Sequence, residues 1–84
     1  MKAYRFTATW CQPCKALAKL LDSKNLNIPT YDVDNSEYND LLAKYDIRSV
    51  PTIVIEDNGT VEKYTGTDLP TQLVDRLKLA NYTK

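Results

Sequence analysis

The segment Trp10-Cys11-Gln12-Pro13-Cys14-Lys15 contains both cysteines of this 84-residue chain and sits where one side-chain pattern gives way to another. Before it, Lys2 to Thr7 reads as a strand. After it, Pro13 to Leu21 reads as a helix. Two thiols separated by two residues at such a turn can close into a disulfide and reopen, which is a redox switch. The turn places Cys11 near the first helical positions, where unpaired backbone N–H groups and the helix dipole favour negative charge and lower a thiol's pKa. Cys11 is therefore expected to be the attacking thiolate. Cys14, one turn further in and more buried, is expected to keep its proton longer and to expel the substrate from a mixed disulfide. Pro13 suits the first turn because no helical hydrogen bond is lost there and its φ is preset. Lys15 adds a nearby positive charge.

Composition limits the other possibilities. The length corresponds to one domain, residues 1–84, with a modest core. Hydrophobic residues at 43% and charged residues at 26% describe an ordinary globular chain. Eleven basic and eleven acidic residues balance to zero, which gives no electrostatic case for nucleic acid or an anionic membrane surface. No run is long and apolar enough to read as a signal peptide or a membrane span, so a cytoplasmic location is expected. In that compartment a close cysteine pair is expected to be catalytic or metal-binding rather than a staple. So short a loop removes little entropy from the unfolded chain, and the pair would make a poor staple. A structural zinc site needs four ligands, and two cysteines with no histidine supply half of them.

Outward from the cysteines, Tyr4 and Phe6 share one face of the first strand. In the following helix, Pro13 to Asp22, Cys14, Leu17, Leu20 and Leu21 recur at spacings of three and four. Ser23 to Asn27 is a polar connection, and Thr30 to Asp34 alternates as a second strand. Strand, helix, strand implies a right-handed crossover and parallel pairing. Ser36 reads as the N-cap of a second helix whose face is Tyr38, Leu41, Leu42 and Tyr45. Thr52 to Glu56 reads as an interior strand and Asp57-Asn58-Gly59-Thr60 as a hairpin turn, with Val61 to Tyr64 returning. A last helix is expected to start at Asp68 or Leu69, with Pro70 in its first turn. It would bury Leu69, Leu73, Val74, Leu77 and Ala80, and the tail from Asn81 is polar. The six tyrosines fall mostly at core-facing positions and none is assigned a catalytic role. Asp32 and Asp34 read as a solvated strand end. The order is βαβαββα, an α/β fold with helices on both faces of the sheet.

This arrangement resembles the thioredoxin family. The resemblance rests on Thr-Trp-Cys-Gln-Pro-Cys-Lys at 9–15, Val-Pro-Thr at 50–52, the hairpin at 57–60 and Gly66 before the last helix. The opening strand and helix of full-length thioredoxins have no counterpart, so the chain looks like a minimal version, glutaredoxin-sized. It implies a thioredoxin fold with a four-stranded mixed sheet of order 2-1-3-4. The resemblance further implies that Trp10 flanks the site, that Cys11 is the nucleophile and Cys14 the resolving thiol, and that Pro51 is a cis-proline facing the disulfide. The backbone of Val50 would then pair with an extended substrate segment, and Thr65 and Gly66 would form the third wall of the groove.

Three positions depart from the pattern. Gln12-Pro13 has the proline of thioredoxins without their glycine. Arg5 and Thr30 stand where thioredoxins carry a buried aspartate and a lysine, and Arg5, with its guanidinium near the thiols, would favour the thiolate in the aspartate's absence. Thr7 stands where many thioredoxins have tryptophan. The function implied is a monomeric thiol–disulfide oxidoreductase, an electron carrier with no bound cofactor and no metal. It would take electrons from NADPH through a flavin-containing, thioredoxin reductase-like enzyme and pass them to disulfide-containing proteins. One alternative is a glutaredoxin-like protein fed by glutathione, for which Thr65-Gly66-Thr67-Asp68-Leu69 resembles a γ-glutamyl-binding loop. A redox-inert interaction module is another.

Overall fold

The computed structural model describes residues 2–67 and 69–79. At its centre lies the run Thr52-Ile53-Val54-Ile55, buried on both faces, where β-branched side chains fit the pleated surface of an interior strand. That strand is β3 (Thr52–Asp57). It pairs antiparallel with β1 (Lys2–Thr7) on one side and β4 (Thr60–Thr65) on the other, and β1 pairs parallel with β2 (Thr30–Asp32). The sheet order is β2-β1-β3-β4, the 2-1-3-4 arrangement expected from sequence. Helix α1 (Gln12–Ser23) makes the crossover between the parallel strands. A 3₁₀ turn (Ser36–Tyr38) leads into α2 (Asn39–Lys44), and α3 (Thr71–Leu79) follows the hairpin.

The sheet separates two apolar layers. Ala3, Ile53 and Ile55 on one face pack with Leu17 and Leu21 of α1 and Leu73 and Leu77 of α3. Phe6 and Val54 on the other face pack with Tyr45, Leu41 and Leu42 around α2. Burying each such Leu, Ile or Phe side chain is worth about 1.5–3 kcal/mol. Tyr4, Phe6, Tyr31 and Tyr45 form a run of ring contacts with centroids 5.1–6.5 Å apart. Tyr38 closes it edge-on to Tyr31 at 5.0 Å. Of the tyrosines, only Tyr45 is fully buried among the described residues.

Several boundaries move for local reasons. β2 ends at Asp32, not Asp34, because the Asp34 N–H turns back to Asp32 Oδ1 (2.9 Å) and the Asn35 N–H to Asp32 O (3.1 Å). The cap of the second helical segment is Asn35 rather than Ser36, its side chain accepting the Glu37 N–H. The hairpin turn is only Asn58-Gly59, both at positive φ (52° and 82°), and Asp57 and Thr60 already pair across the ladder. Helix α3 begins at Thr71, so Pro70 precedes it and offers its carbonyl to the Val74 N–H (3.2 Å). Leu69 packs against the core from outside the helix. The expectations for Asp68, Ala80 and the tail fall outside the described residues. Among the described residues no helix is long and apolar enough to cross a membrane.

Candidate active site at the start of α1

The end of β1 and the first turn of α1 bring the two cysteines together, and they are joined as a disulfide with Cα atoms 5.2 Å apart. Cys11 is the N-cap of α1, one position before the helix proper. Its backbone is extended (φ −95°, ψ 110°) and its Sγ accepts the Cys14 N–H at 3.2 Å. The Cys11 carbonyl accepts the Lys15 N–H (3.4 Å), the first bond of the helix. Sulfur thus takes the place that a serine or aspartate oxygen takes at other helix starts, and a thiolate there would be met by an N–H and the positive end of the helix dipole. Pro13 fits because, in this first turn, its missing N–H is not needed.

Cys11 is 5% exposed and Cys14 1%, both packed with Ala8 and touched by Val33 and Val50. The only buried polar or charged side chain among the described residues is Thr52, whose hydroxyl donates to Ser49 O at 2.8 Å. Among the described residues, no buried carboxylate stands beside Cys14. Arg5 does not take up that role. Its Nε and Nη2 donate to Thr30 Oγ1 (3.1 and 2.8 Å), at the edge of the sheet. Burial lowers its pKa and Asp22 pulls it back up. Asp22 lies in the last turn of α1, about 16 Å along the helix from Cys11. The guanidinium is thereby directed away from the thiols, contrary to expectation.

Val50 packs against the cysteines, with Pro51 next to it in sequence and Gly66 bonded to Pro51. The Val50–Pro51 bond is cis, and Val50 O lies 3.8 Å from Cys11 Sγ, where a reduced Cys11 S–H would donate. The Gly66 N–H donates to Pro51 O at 3.0 Å, and Gly66 has φ 86°, which favours glycine at that point. Thr65, the last residue of β4, is exposed and pairs with Thr52. Gln12, Pro13 and Lys15 are exposed on the first turn of α1.

Trp10 is the most exposed large hydrophobic side chain among the described residues, at 66%. It is nevertheless held, because its Nε1–H donates to Asp34 Oδ2 at 2.8 Å. A cavity of about 170 Å³ opens beside it, lined by Trp10, Val33, Leu42, Ile47, Arg48, Ser49 and Val50. Sequence reasoning missed Asp34 as a site residue, reading it as a solvated strand end. The available signal was the tryptophan itself, whose indole N–H needs an acceptor. Val33, Leu42, Ile47, Arg48 and Ser49 were missed too, since their approach to Trp10 depends on where α2 lies over the sheet.

Comparison with known proteins fits this geometry. The family model named Thioredoxin matches residues 4–79. Thioredoxin-1 of Caenorhabditis elegans is 44% identical over 57 residues, covering 64% of this chain and 50% of that protein. Protein disulfide-isomerase 1 of the same organism is 36% identical over 81 residues, 88% of this chain but 17% of the relative. The chain thus spans half the length, or less, of these curated relatives. The X-ray structure of Fasciola hepatica thioredoxin superposes with a TM-score of 0.69 at 27% identity, covering 90% of this chain and 76% of that one. With its sheet order, its capped cysteine pair and a family match over nearly its whole length, the chain belongs to the thioredoxin family.

Proposed function

We propose that this protein is a thiol–disulfide oxidoreductase that reduces protein disulfides through Cys11 and Cys14. The observation that carries this reading is the placement of Cys11 Sγ, which receives the Cys14 N–H at 3.2 Å and lies 3.8 Å from Val50 O. In the dithiol state Cys11 loses its proton and attacks one sulfur of a substrate disulfide. The substrate S–S bond breaks, a Cys11–substrate disulfide forms, and the departing thiolate takes a proton. Cys14 then gives up its proton and attacks Cys11 Sγ. The second substrate thiol leaves, and the Cys11–Cys14 disulfide remains. Two electrons have passed from the protein to the substrate.

The substrate segment would lie extended along Val50, with Trp10, Thr65 and Gly66 as the other walls of the groove. The protein needs no bound cofactor in this scheme. Electrons would come from NADPH through a flavin-containing, thioredoxin reductase-like partner, making the chain a link in electron transport, and the location is cytoplasmic. Both cysteines and the groove come from one chain, so the monomer is the catalytic unit. The likeness to thioredoxins and the balanced charge of the chain support this reading.

The test is reduction of the oxidised protein by NADPH with thioredoxin reductase and, separately, by glutathione with glutathione reductase, with insulin as common acceptor. Turnover with the flavin reductase and none with glutathione is the expected result. Turnover with glutathione alone would assign the chain to the glutaredoxin side. Cysteines inert to both donors and to dithiothreitol would point to a redox-inert interaction module.

A further inference from the structure

Strand β2 is an end strand of the sheet. The Arg5 N–H donates to Pro29 O (2.8 Å) and the Val33 N–H to Thr7 O (2.9 Å), so the backbone groups of 29, 31 and 33 face β1. By the alternation of a strand, those of Thr30 and Asp32 face outward. Asp32 O accepts the Asn35 N–H. Among the described residues, the N–H and C=O of Thr30 and the N–H of Asp32 have no partner. A cleft of about 420 Å³ runs along this side, lined by Asn27, Ile28, Pro29, Thr30 and Tyr31. The opposite end strand, β4, carries Glu62 and Lys63 in mid-strand, charges of the kind that blunt an edge.

Arg5 stands beside the β2 edge with its charge only partly answered. Both of its hydrogen bonds go to the Thr30 hydroxyl, and among the described residues no carboxylate lies within ion-pair distance of it. Asp22 acts on it from further off. A guanidinium has five N–H donors and is best matched by a carboxylate, so Arg5 has donors to spare. Asp32 carries such a carboxylate on β2, two residues from Thr30 and so on the same face of the sheet. Its Oδ1 is held by the Asp34 N–H at 2.9 Å, and Oδ2 is left over.

We propose that β2 pairs antiparallel with β2 of a second copy of this chain, with Thr30 of each copy opposite Asp32 of the other. In this register Thr30 and Asp32 exchange N–H···O bonds twice, once on each side of the two-fold axis. The second lone pair of Asp32 O serves this bond. Asp32 of each copy comes beside Thr30 of the other, and so beside Arg5, forming an ion pair on each side. Tyr31 meets its own copy at the axis, on the face where it already packs with Tyr4, Phe6 and Tyr38. A register centred on Asp32 would oppose two carboxylates, and one centred on Thr30 would place Asp32 opposite Ile28, away from Arg5. Charge complementarity selects the register centred on Tyr31. A three-residue edge buries less than a standard interface, so the dimer is weak and reversible.

The test is sedimentation velocity on the oxidised full chain at low salt, from about 10 μM to about 1 mM. Arg5→Glu and Asp32→Lys should each weaken the dimer by about tenfold or more, because two ion pairs become two repulsions. Mixing the two variants should restore it, since the hybrid pairs Arg5 with Asp32 on one side and the introduced Glu with the introduced Lys on the other. Circular dichroism checks that each variant folds. In the unaltered protein, which needs no substitution, amide exchange at Thr30 and Asp32 should slow as concentration rises. A chain that stays monomeric at the highest concentration, a dimer indifferent to either charge reversal, or a mixture that fails to recover association would each overturn the proposal.

Discussion

Replacing Asp34 with alanine removes the carboxylate that holds Trp10 through a 2.8 Å hydrogen bond. Both partners are largely in solvent, and water will take up the indole N–H once the carboxylate is gone. The stability loss should therefore stay below about 1 kcal/mol, at the low end for a hydrogen bond. The functional cost should be larger. A tryptophan freed to sample other rotamers must be ordered again when a protein substrate docks, at about 0.5–1.5 kcal/mol for one immobilised side chain. That corresponds to a fall in kcat/KM of about 2- to 10-fold. A small aromatic disulfide, which does not span the groove, should be reduced at the unaltered rate. Both rates can be followed with dithiothreitol as the reductant, so that no partner reductase enters the comparison. Trp10 is the only tryptophan of the chain, so its fluorescence anisotropy reports its motion directly. Asp34→Asn, which keeps an acceptor, should fall between the two. Equal loss toward insulin and the small disulfide, or unchanged anisotropy in Asp34→Ala, would refute the argument that Asp34 acts by holding Trp10.

Other expectations are as specific. Arg5→Ala should leave the Cys11 pKa, followed by thiolate absorbance, unmoved, because the guanidinium is bonded to Thr30 and not turned toward the thiols. Lys63→Met should cost about 0.5–1.5 kcal/mol in urea unfolding, because Lys63 Nζ donates to Tyr45 O (3.1 Å) and Asp46 O (3.3 Å) at the end of α2. Glu62 has its pKa lowered, chiefly by its hydrogen bond to Arg76. A carboxylate depressed in the folded state contributes stability that is present above its unfolded pKa, about 4.3, and is lost as pH falls through the folded value. Urea midpoints for Glu62→Gln should accordingly show a flatter acid limb, with the difference shrinking in high salt. Tyr45 has its pKa raised, first by burial and then by hydrogen bonds with Tyr4 and Glu56. Its contribution is complete below the unfolded tyrosine pKa of about 10 and is lost as pH rises beyond it, so Tyr45→Phe should blunt the alkaline destabilisation.

Much of this was legible in the sequence where local pattern and packing agree. The run Thr52 to Glu56 could only be an interior strand, and the helix after Cys11 followed from the spacing of Cys14, Leu17 and Leu21. The cysteine pair at the strand-to-helix turn came from local chemistry, whereas the cis bond at Pro51 was legible only through the resemblance. What sequence alone did not supply were contacts set by side-chain reach. Arg5 lies on the expected strand, yet its long side chain turned to Thr30 instead of the thiols. Asp34 and Asn35 compete for the same few backbone N–H groups as β2 ends, and that competition decided both the strand's length and the helix cap. The cavity beside Trp10 needed the position of α2, which no periodicity encodes.

Among the described residues no buried carboxylate lies beside Cys14 to take its proton, and this bears on how long each encounter with a substrate lasts. Once Cys11 is engaged, Cys14 must hand its proton to the departing substrate thiolate or to water. The lifetime of the covalent complex is then governed by the acidity of the medium, lengthening about tenfold for each pH unit below the thiol's own pKa, because only the thiolate attacks. Acid quenching should therefore capture the protein still joined to its physiological targets with both cysteines intact. The unaltered protein becomes its own bait.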